Sequence, residues 1–511
     1  MHVADIVVSL CSSTLFAMFN KKIGLRVLRN KLLVILTSMM IVISLIVGVN
    51  TTVIVYRTHE SHQPLPSKYS VLETNFFNLD LESFGIYPRT LRIVSATASF
   101  ADGTGVFTSS RDTSIIKQYI FSKQQEKRGD LKFIASYDLK RIIESTINSK
   151  KKFWVFDLQV YEDQIYVSLV TQTQKLKSCD DYMILQIPIS NERLKLGANK
   201  QIWKFGECLS SFPGDPGWYD FQGRLAVTDK SVYMTAGLLV AATYSGFYPN
   251  SNLSGLMPTL REEIARDKLF GGVLEVNRTT GTSRLFASGF RGPSGITVRQ
   301  DHQREKIWVA DHGPRGGDEL NLVEEGKDYG WPWVTYGTKY FDRKPGQSGY
   351  LDTIFGSHEG FTKPEFYWTP SIAPSHIAPL TSSFGGESNW SEGDLLMGSL
   401  KAESLFHIKL NSTDNVESVE QISISARVRD LSIELKSIFV TTDDGRLMVL
   451  TPNSTKTSVG AFPYFGSISG SSDKETMLDK LQTFLNRISY AIQYRGTLLY
   501  RHFFAREQEG P

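Results

Sequence analysis

Short stretches of β-forming residues, separated by turn signals, fill residues 85 to about 460 and constrain the fold more than any other feature. Stretches such as FWVFDLQV, QIYVSLV and KIWVAD are rich in Val, Ile, Phe, Trp and Tyr, which favour strands. Turn sequences such as TTG and TDDG separate many of them in pairs, as in β-hairpins. Helical periodicity is scarce in this region, so an all-β sandwich, barrel or propeller is predicted.

The length of this region favours a propeller. About 375 residues exceed what a single sandwich needs, but they suit four-stranded blades of roughly 40–50 residues each, with insertions. No WD or kelch repeat is visible, so strand spacing alone leaves the number of blades open. A propeller gathers loops from several blades at one end of its central channel, where a binding site is expected.

The N-terminal part contains an apolar run that predicts a membrane anchor. Residues 32–49 (LLVILTSMMIVISLIVGV) carry no charge, and the run continues weakly to residue 56. Such a helix is long enough to cross roughly 30 Å of hydrocarbon. A cleaved signal peptide is the alternative, but the run is longer than a typical apolar region of about 7–15 residues. We therefore predict an uncleaved signal anchor over 32–56.

Basic residues give this anchor an orientation. Residues 1–31 carry Lys and Arg close to the anchor, whereas Arg57 is the only nearby basic residue after it. The positive-inside rule then places a basic leader (1–31) in the cytoplasm. A polar, proline-bearing stalk (57–84) and the propeller (85–465) are predicted to follow on the extracytoplasmic side, in the periplasm or outside the cell, of a single-pass membrane protein.

Other features of the chain concern its partners. Residues 471–506 begin with a capping-box pattern and continue with apolar residues at helical spacing, which predicts a C-terminal amphipathic helix that packs on the domain, a partner or a membrane surface. Charge is nearly balanced, with 56 basic against 53 acidic residues, which argues against nucleic-acid binding. Cys179 and Cys208 are either a disulfide of an exported domain or two unrelated thiols.

Residues 309–337, VADHGPRGGDELNLVEEGKDYGWPWVTYG, form a loop-rich motif after a predicted strand. The motif resembles the signature of the glucose/sorbosone dehydrogenase family, and ASGFRGPSGITV, PSIAPS, GSLKAESLFHIKL and ARVRDL occur around it in the family's order. The resemblance extends over about 220–450 and is faint over 85–218. It implies a six-bladed β-propeller quinoprotein, similar to soluble aldose sugar dehydrogenases that use pyrroloquinoline quinone and Ca²⁺.

The resemblance implies a set of cofactor-binding residues. The cofactor carries three carboxylates, which Arg binds in a bidentate manner and Lys binds as a point charge. Ser371 and Tyr340 match further positions that line the cofactor, and Gly292 stands where the family has Asn. Four cations match cofactor-contacting positions of the family: Arg291, Lys401, Arg427 and Arg429. Considered alone, residues 427–430 could instead be a strand with exposed arginines, one of them paired with Asp430.

The resemblance also implies calcium ligands. The backbone carbonyls of Gly313 and Pro314 match those that hold Ca²⁺ beside the cofactor, and calcium prefers such oxygen ligands. Glu319 and Tyr329 match a separate calcium site of the family, in which Tyr contributes oxygen. The glycine and proline residues of the same motif could instead serve only to shape rigid turns.

The catalytic base departs from the family pattern. In the family, a His just before a GGRL-like strand start takes the proton of the sugar's anomeric hydroxyl, and WYDFQGRLAV places Asp220 at this position. Because the ordinary pKa of Asp is about 3.9, Asp220 is a weaker base near neutral pH, although burial could raise that pKa. His312, within the motif, is the second candidate base, or else a structural residue.

Three functions remain open at this stage. The first is a membrane-anchored sugar dehydrogenase that oxidises an aldose or similar alcohol, with an electron acceptor or a second copy of the chain as further partners. The second is a non-catalytic propeller that binds a carbohydrate or a protein. The third is a hydrolase of the lactonase or strictosidine-synthase type, which fits the architecture but does not explain the motif at 309–337.

Overall fold

The computed structural model describes most of the chain between Lys68 and Asn453. The described residues are 68–74, 77–86, 95–100, 102–110, 114–123, 128–143, 152–174, 178–205, 209–210, 222–237, 271–301, 304–338, 354–384 and 390–453. The predicted leader, membrane anchor and C-terminal helix lie outside them. No helix within these ranges is long and apolar enough to cross a bilayer.

The described chain begins with β1 (Lys68–Glu73) and β2 (Asn78–Gly85), and the blades follow in sequence order. Blade 1 contains β3 (Ser95–Ser99), β4 (Gly105–Ser110), β5 (Ile115–Ser122) and β6 (Asp130–Asp138), followed by one helical turn, α1 (Lys140–Ile143). Blade 2 contains β7 (Lys152–Tyr161), β8 (Gln164–Gln174) and β9 (Ser178–Ser190), on which β10 (Arg193–Leu194), β11 (Lys200–Lys204) and β12 (Leu209–Ser210) pair. A 3₁₀ turn, Leu196–Ala198, lies between β10 and β11.

The second half of the chain repeats this antiparallel pattern. Blade 3 contains β13 (Gln222–Val227), β14 (Ser231–Ala236), β15 (Gly272–Asn277) and β16 (Ser283–Ser288). Blade 4 contains β17 (Pro293–Asp301), β18 (Arg304–Asp311), β19 (Asp318–Val323) and β22 (Phe366–Trp368), while β20 (Val334–Thr335) and β21 (Ile354–Phe355) pair with each other. Blade 5 contains β23 (Pro374–Pro379), β24 (Leu395–Ser399), β25 (Ser404–Leu410) and β26 (Val416–Ser423).

Blade 6 joins the two ends of the described chain. It contains β27 (Val428–Glu434), β28 (Ser437–Thr442) and β29 (Arg446–Pro452), and β2 adds antiparallel to β29, with β1 outside it. β1 and β2, which lie within the predicted stalk (57–84), therefore belong to the sheet of blade 6, so the propeller includes residues before 85. The reason is visible in the burial of β2, because Leu79, Leu81 and Phe84 are buried while polar residues lie between them.

Six clusters of buried apolar side chains fill the six spaces between neighbouring blades. The first strand of each blade lies next to the channel, and each contacts the first strands of the blades on both sides, so β3, β7, β13, β17, β23 and β27 form a closed ring. The prediction of an all-β, six-bladed propeller is confirmed.

Candidate functional site

The candidate site is built around residues 312–317, the loop that joins β18 to β19. Asp311 ends β18 and is buried, and its carboxylate accepts hydrogen bonds from the backbone N–H groups of Gly292 (2.7 Å) and Arg291 (3.1 Å). These bonds hold the start of β17 beside the loop. Burial, with the nearby Glu319 carboxylate as the second cause, raises the pKa of Asp311 to about 7.

A second buried carboxylate attaches the loop to blade 5. Asp318 begins β19, and its Oδ2 accepts the N–H groups of Ile372 and Ala373, both at 2.7 Å. Its Oδ1 has no hydrogen-bond partner within the described structure. Burial raises the pKa of Asp318 to about 6. The two carboxylates thus fix the chain that precedes β17 and the chain that precedes β23 against the same loop.

Both predicted calcium-binding carbonyls accept hydrogen bonds. An Nη atom of Arg291 donates to the carbonyls of His312 (2.8 Å) and Gly313 (3.1 Å). The Ser371 hydroxyl donates to the carbonyl of Pro314 (3.1 Å) and accepts the N–H of Gly316 (2.8 Å). The carbonyl of Pro314 also accepts the N–H of Gly317 at 3.2 Å. Since each carbonyl oxygen has two lone pairs, acceptor capacity remains for a cation at Gly313, whereas at Pro314 a cation would have to displace a hydrogen bond.

The four predicted cations converge on His312. The His312 side chain is partly buried, and its pKa is lowered to about 3, first by burial and then by the positive charges around it. Those charges belong to Arg291, Arg427, Arg429 and Lys401. Residues from the starts of two strands, β17 and β27, and from the turn after β24 are therefore brought to one end of the channel, although 138 positions separate the first from the last.

Two of these cations share a carboxylate that was not expected from the sequence. Asp443, in the turn between β28 and β29, binds Arg427 Nε at 2.6 Å and also pairs with Arg429. Arg427 donates a further bond to the carbonyl of Leu400 at 3.2 Å. The alternative in which one of these two arginines pairs with Asp430 is thus wrong, since Asp430 is buried against a different arginine, Arg224.

The charges at this end of the channel fit a polyanion. Four cations act on His312, and one carboxylate, Asp443, pairs with two of them. Arg291 Nε is buried and has no acceptor in the described structure, and its guanidinium lies 5.8 Å from the centre of the Trp331 ring. An unpaired guanidinium donor beside surplus positive charge is a binding feature for carboxylates.

Glu319 and Tyr329, the second predicted pair of calcium ligands, do not bind a common group. Glu319 lies 2.8 Å from His358 Nε2 and is buried with it. The Tyr329 hydroxyl donates to the carbonyl of Leu322 (2.6 Å) and accepts the N–H of Glu324 (3.0 Å), so it closes the end of β19. No group of three or more acidic, His or Cys side chains within the described ranges is arranged to hold a metal ion.

The remaining predicted positions divide into two groups. Asp220 and Tyr340 lie outside the described residues. At Gly292, an added Cβ would lie 3.3 Å from the His312 carbonyl and 4.0 Å from the side-chain nitrogen of Gln222. Gln222 therefore brings an amide close to the position where the family has Asn, and nothing in the sequence around 222 singles it out.

Comparisons with known proteins agree with this architecture. A family model described as "Glucose / Sorbosone dehydrogenase" matches residues 125–450. The aldose sugar dehydrogenase YliI of Escherichia coli is 29% identical over 221 residues, which are 43% of this chain and 49% of the relative. An uncharacterized protein of Synechocystis, slr1608, is 32% identical over 155 residues, 30% of this chain and 35% of the relative. The matched segments thus span half or less of these relatives.

A solved structure supports the fold. The apo form of the soluble aldose sugar dehydrogenase from Escherichia coli superposes with a TM-score of 0.50 and 19% identity, and covers 73% of this chain and 100% of the solved one. At this level of identity the similarity concerns the propeller alone.

Proposed function

Because the chain belongs to the glucose/sorbosone dehydrogenase family, we propose that it oxidises a sugar or a similar alcohol with pyrroloquinoline quinone as its cofactor. The observation that carries the proposal is a group of four cations at one end of the channel. Arg291 donates to the His312 carbonyl, Arg427 and Arg429 share Asp443, and Arg427 also donates to the carbonyl of Leu400, the residue before Lys401. Four cations at one end of a propeller channel, with one carboxylate paired to two of them, suit a ligand with several carboxylates.

The chain's own residues would divide the work of holding the cofactor. Arg427 and Arg429 are held side by side by Asp443, which orients both guanidinium groups before any ligand arrives. Arg291 offers its free Nε, and Lys401, which is exposed, adds a mobile charge at the rim. Ser371 and Tyr340 would supply hydroxyl groups, as their match to the family implies.

Calcium would bind through the carbonyl of Gly313 and, in place of one of its two hydrogen bonds, through that of Pro314, with the remaining oxygen ligands coming from the cofactor. When bound, the quinone would supply a two-electron acceptor for the sugar's hydride, and Ca²⁺ would act as a Lewis acid on it. The hydrogen bonds that Arg291 and Ser371 donate to these two carbonyls would keep both oxygens oriented before the ion binds.

A proton must also leave the sugar hydroxyl, and two residues are candidates to accept it. His312 is neutral at physiological pH because its pKa is about 3, but the same low pKa makes its imidazole a weak proton acceptor. Carboxylates bound to the surrounding cations would offset their charge and make His312 a stronger base. Asp220 stands at the family's base position. If Asp220 is the base, the Asp220→Asn variant loses turnover. If His312 is the base, the His312→Gln variant loses it instead.

We also propose that the propeller is held on the extracytoplasmic side of a membrane by residues 32–56, where the oxidised sugar and an electron acceptor would meet it. The run of uncharged residues and the basic residues before it support this location. Asp220 favours a second candidate function, a propeller that binds a carbohydrate without turnover, because the family's imidazole base is replaced.

A titration separates these functions. The full chain, purified in detergent, is titrated with pyrroloquinoline quinone with and without Ca²⁺ while absorbance is followed, and aldoses are then added with a dye acceptor. Stoichiometric, Ca²⁺-dependent binding followed by dye reduction supports the dehydrogenase. The matched control is the Arg278→Ala variant, in which the substituted arginine belongs to blade 3 and is remote from the predicted site residues. A folded protein that binds no quinone would refute the dehydrogenase and favour the binding propeller.

A further inference from the structure

Arg224 is buried among the first strands of the blades and bonds to several of them. It lies on β13, is 4% exposed, and contacts the first strands of four other blades. An arginine has five N–H donors, and all five have an acceptor here. Nε donates to the Ser294 carbonyl (3.1 Å), Nη1 faces Asp157 and Asp430 (both 3.3 Å), and Nη2 donates to the carbonyls of Ser375 (3.3 Å) and Arg429 (2.8 Å).

The three carbonyls belong to the chain segments that carry the proposed cofactor ligands. Arg429 is itself one of the four cations. Ser294 follows Arg291 by three residues on β17, and Ser375 follows Ser371 by four residues on β23. One guanidinium group therefore fixes the backbone beside three separate positions of the anion site, although these positions come from three different blades.

The carboxylates of Asp157 and Asp430 have a different role from the three carbonyls. Asp157 accepts the N–H of Leu225 at 2.7 Å, next to Arg224 on β13, and Asp430 accepts the N–H of Thr97 on β3 at 2.7 Å. They neutralise the buried guanidinium and extend the network to all six first strands. The contacts of Asp157 stay on β7 and β13, away from β17, β23 and β27, which carry the described ligands of the anion site. Asp430 lies on β27 itself, and its Oδ1 is 3.3 Å from His376 Nδ1 on β23.

We propose that Arg224 is a positioning residue for the anion site, acting through the carbonyls of Ser294, Ser375 and Arg429. The inference rests on the proposed function and extends it to a residue that does not contact the cofactor. Lysine cannot replace the fork, because its ammonium has three donors from a single atom and cannot reach carbonyls on three strands together. Arg224→Lys keeps the buried charge but releases at least two of the five acceptors.

The test is a double-mutant cycle on the full chain, and the dissociation constant for pyrroloquinoline quinone is the measured quantity. Binding is measured at a temperature at which urea unfolding shows that every variant is folded. Arg224→Lys is expected to weaken binding by roughly 10- to 100-fold. In the Arg429→Ala background the loss should be at least about threefold smaller, because part of the effect passes through Arg429. In the Lys401→Ala background the loss should stay within about twofold of that in the wild-type background, since Arg224 does not contact Lys401.

Asp157→Asn is the matched control, because it disturbs the same buried network and leaves the three carbonyl contacts in place. It should lower stability yet leave the dissociation constant within about twofold of wild type. Equal losses for Arg224→Lys in all backgrounds would overturn the inference, since a purely structural residue acts that way. If Arg224→Lys does not fold, a large loss in Asp157→Asn still overturns it. Absence of quinone binding by the wild-type protein would instead overturn the proposed function.

Discussion

Glu434 should make the propeller less stable as pH rises. It ends β27 and lines a cavity of about 170 Å³ formed by the later residues of the ring strands, at the opposite end of these strands from His312 and the four cations. No cation pairs with its carboxylate among the described residues. Burial, and then the nearby Asp102 carboxylate, raises the pKa of Glu434 to about 7. Protonation of Glu434 therefore favours the folded state.

The size of the effect follows from this pKa. In the unfolded chain the pKa of Glu434 is about 4.5. Below that pH its carboxyl is neutral in both the folded and the unfolded state, so its burial does not lower the free energy of unfolding. Between that pH and about 7 the unfolded state releases its proton first, so stability falls by up to about 1.4 kcal/mol per pH unit. Since Glu434 is only partly buried, solvent screening reduces the total, and we expect a loss of about 1–2 kcal/mol.

Urea unfolding of wild type and Glu434→Gln at several values between about pH 4.5 and about pH 8 measures this loss. The glutamine variant should have nearly the wild-type stability at the acid end and should be about 1–2 kcal/mol more stable at the alkaline end. Glu359→Gln, at an exposed glutamate between β21 and β22, is the control and should leave the pH dependence unchanged. Parallel curves for wild type and Glu434→Gln would refute the reasoning.

Three further changes test the closure and the site. Leu81→Ala, which empties a buried position of β2, should lower the free energy of unfolding measured in urea by about 2–5 kcal/mol. Its control, Val71→Ala at an exposed position of β1, should lower it by less than about 1 kcal/mol, and equal losses would contradict the role of β2. Arg291→Lys removes the planar guanidinium whose Nη1 donates to the His312 and Gly313 carbonyls and whose Nε has no acceptor in the described structure, so quinone affinity measured by absorbance should fall at least about tenfold. An unchanged affinity would exclude Arg291 from the site. Raising ionic strength from about 0.05 to about 0.5 M should weaken wild-type binding in the same assay, while no change would argue against charge-driven recognition.

The architecture was predictable because strand periodicity is local. Runs such as KIWVAD became β18 and TDDG became the turn between β28 and β29, as their residue types suggested. The strands β1 and β2 were not recognised, because KYSVLE and NLDLESFG contain many polar residues and follow a proline-bearing segment. Their place in the sheet depends on pairing with β29, and such a distant partner leaves no local signal.

The site was predictable only in part, for a related reason. The family resemblance selected Arg291, Lys401, Arg427 and Arg429, and the structure brings all four to His312. The pairing of these charges with carboxylates could not be predicted from the sequence. Asp443 pairs with two of the arginines across a turn, and Arg224 bonds residues up to 205 positions away. In the sequence, Arg224 is one more arginine in a strand, and the tertiary fold alone supplies its five acceptors.

The pairing of β2 with β29 also sets the order of events during biosynthesis. Asp80 and Asn453, which are hydrogen bonded across this pair, are 373 residues apart. At about 5–20 residues per second, a ribosome needs roughly 20–75 s to produce the second partner after the first. During that time Leu79 and Leu81, which pack with residues of blades 5 and 6, have no blade to cover them, and the ring stays open at one side. Nascent chains of this protein should therefore depend on a chaperone that shields this strand until translation ends.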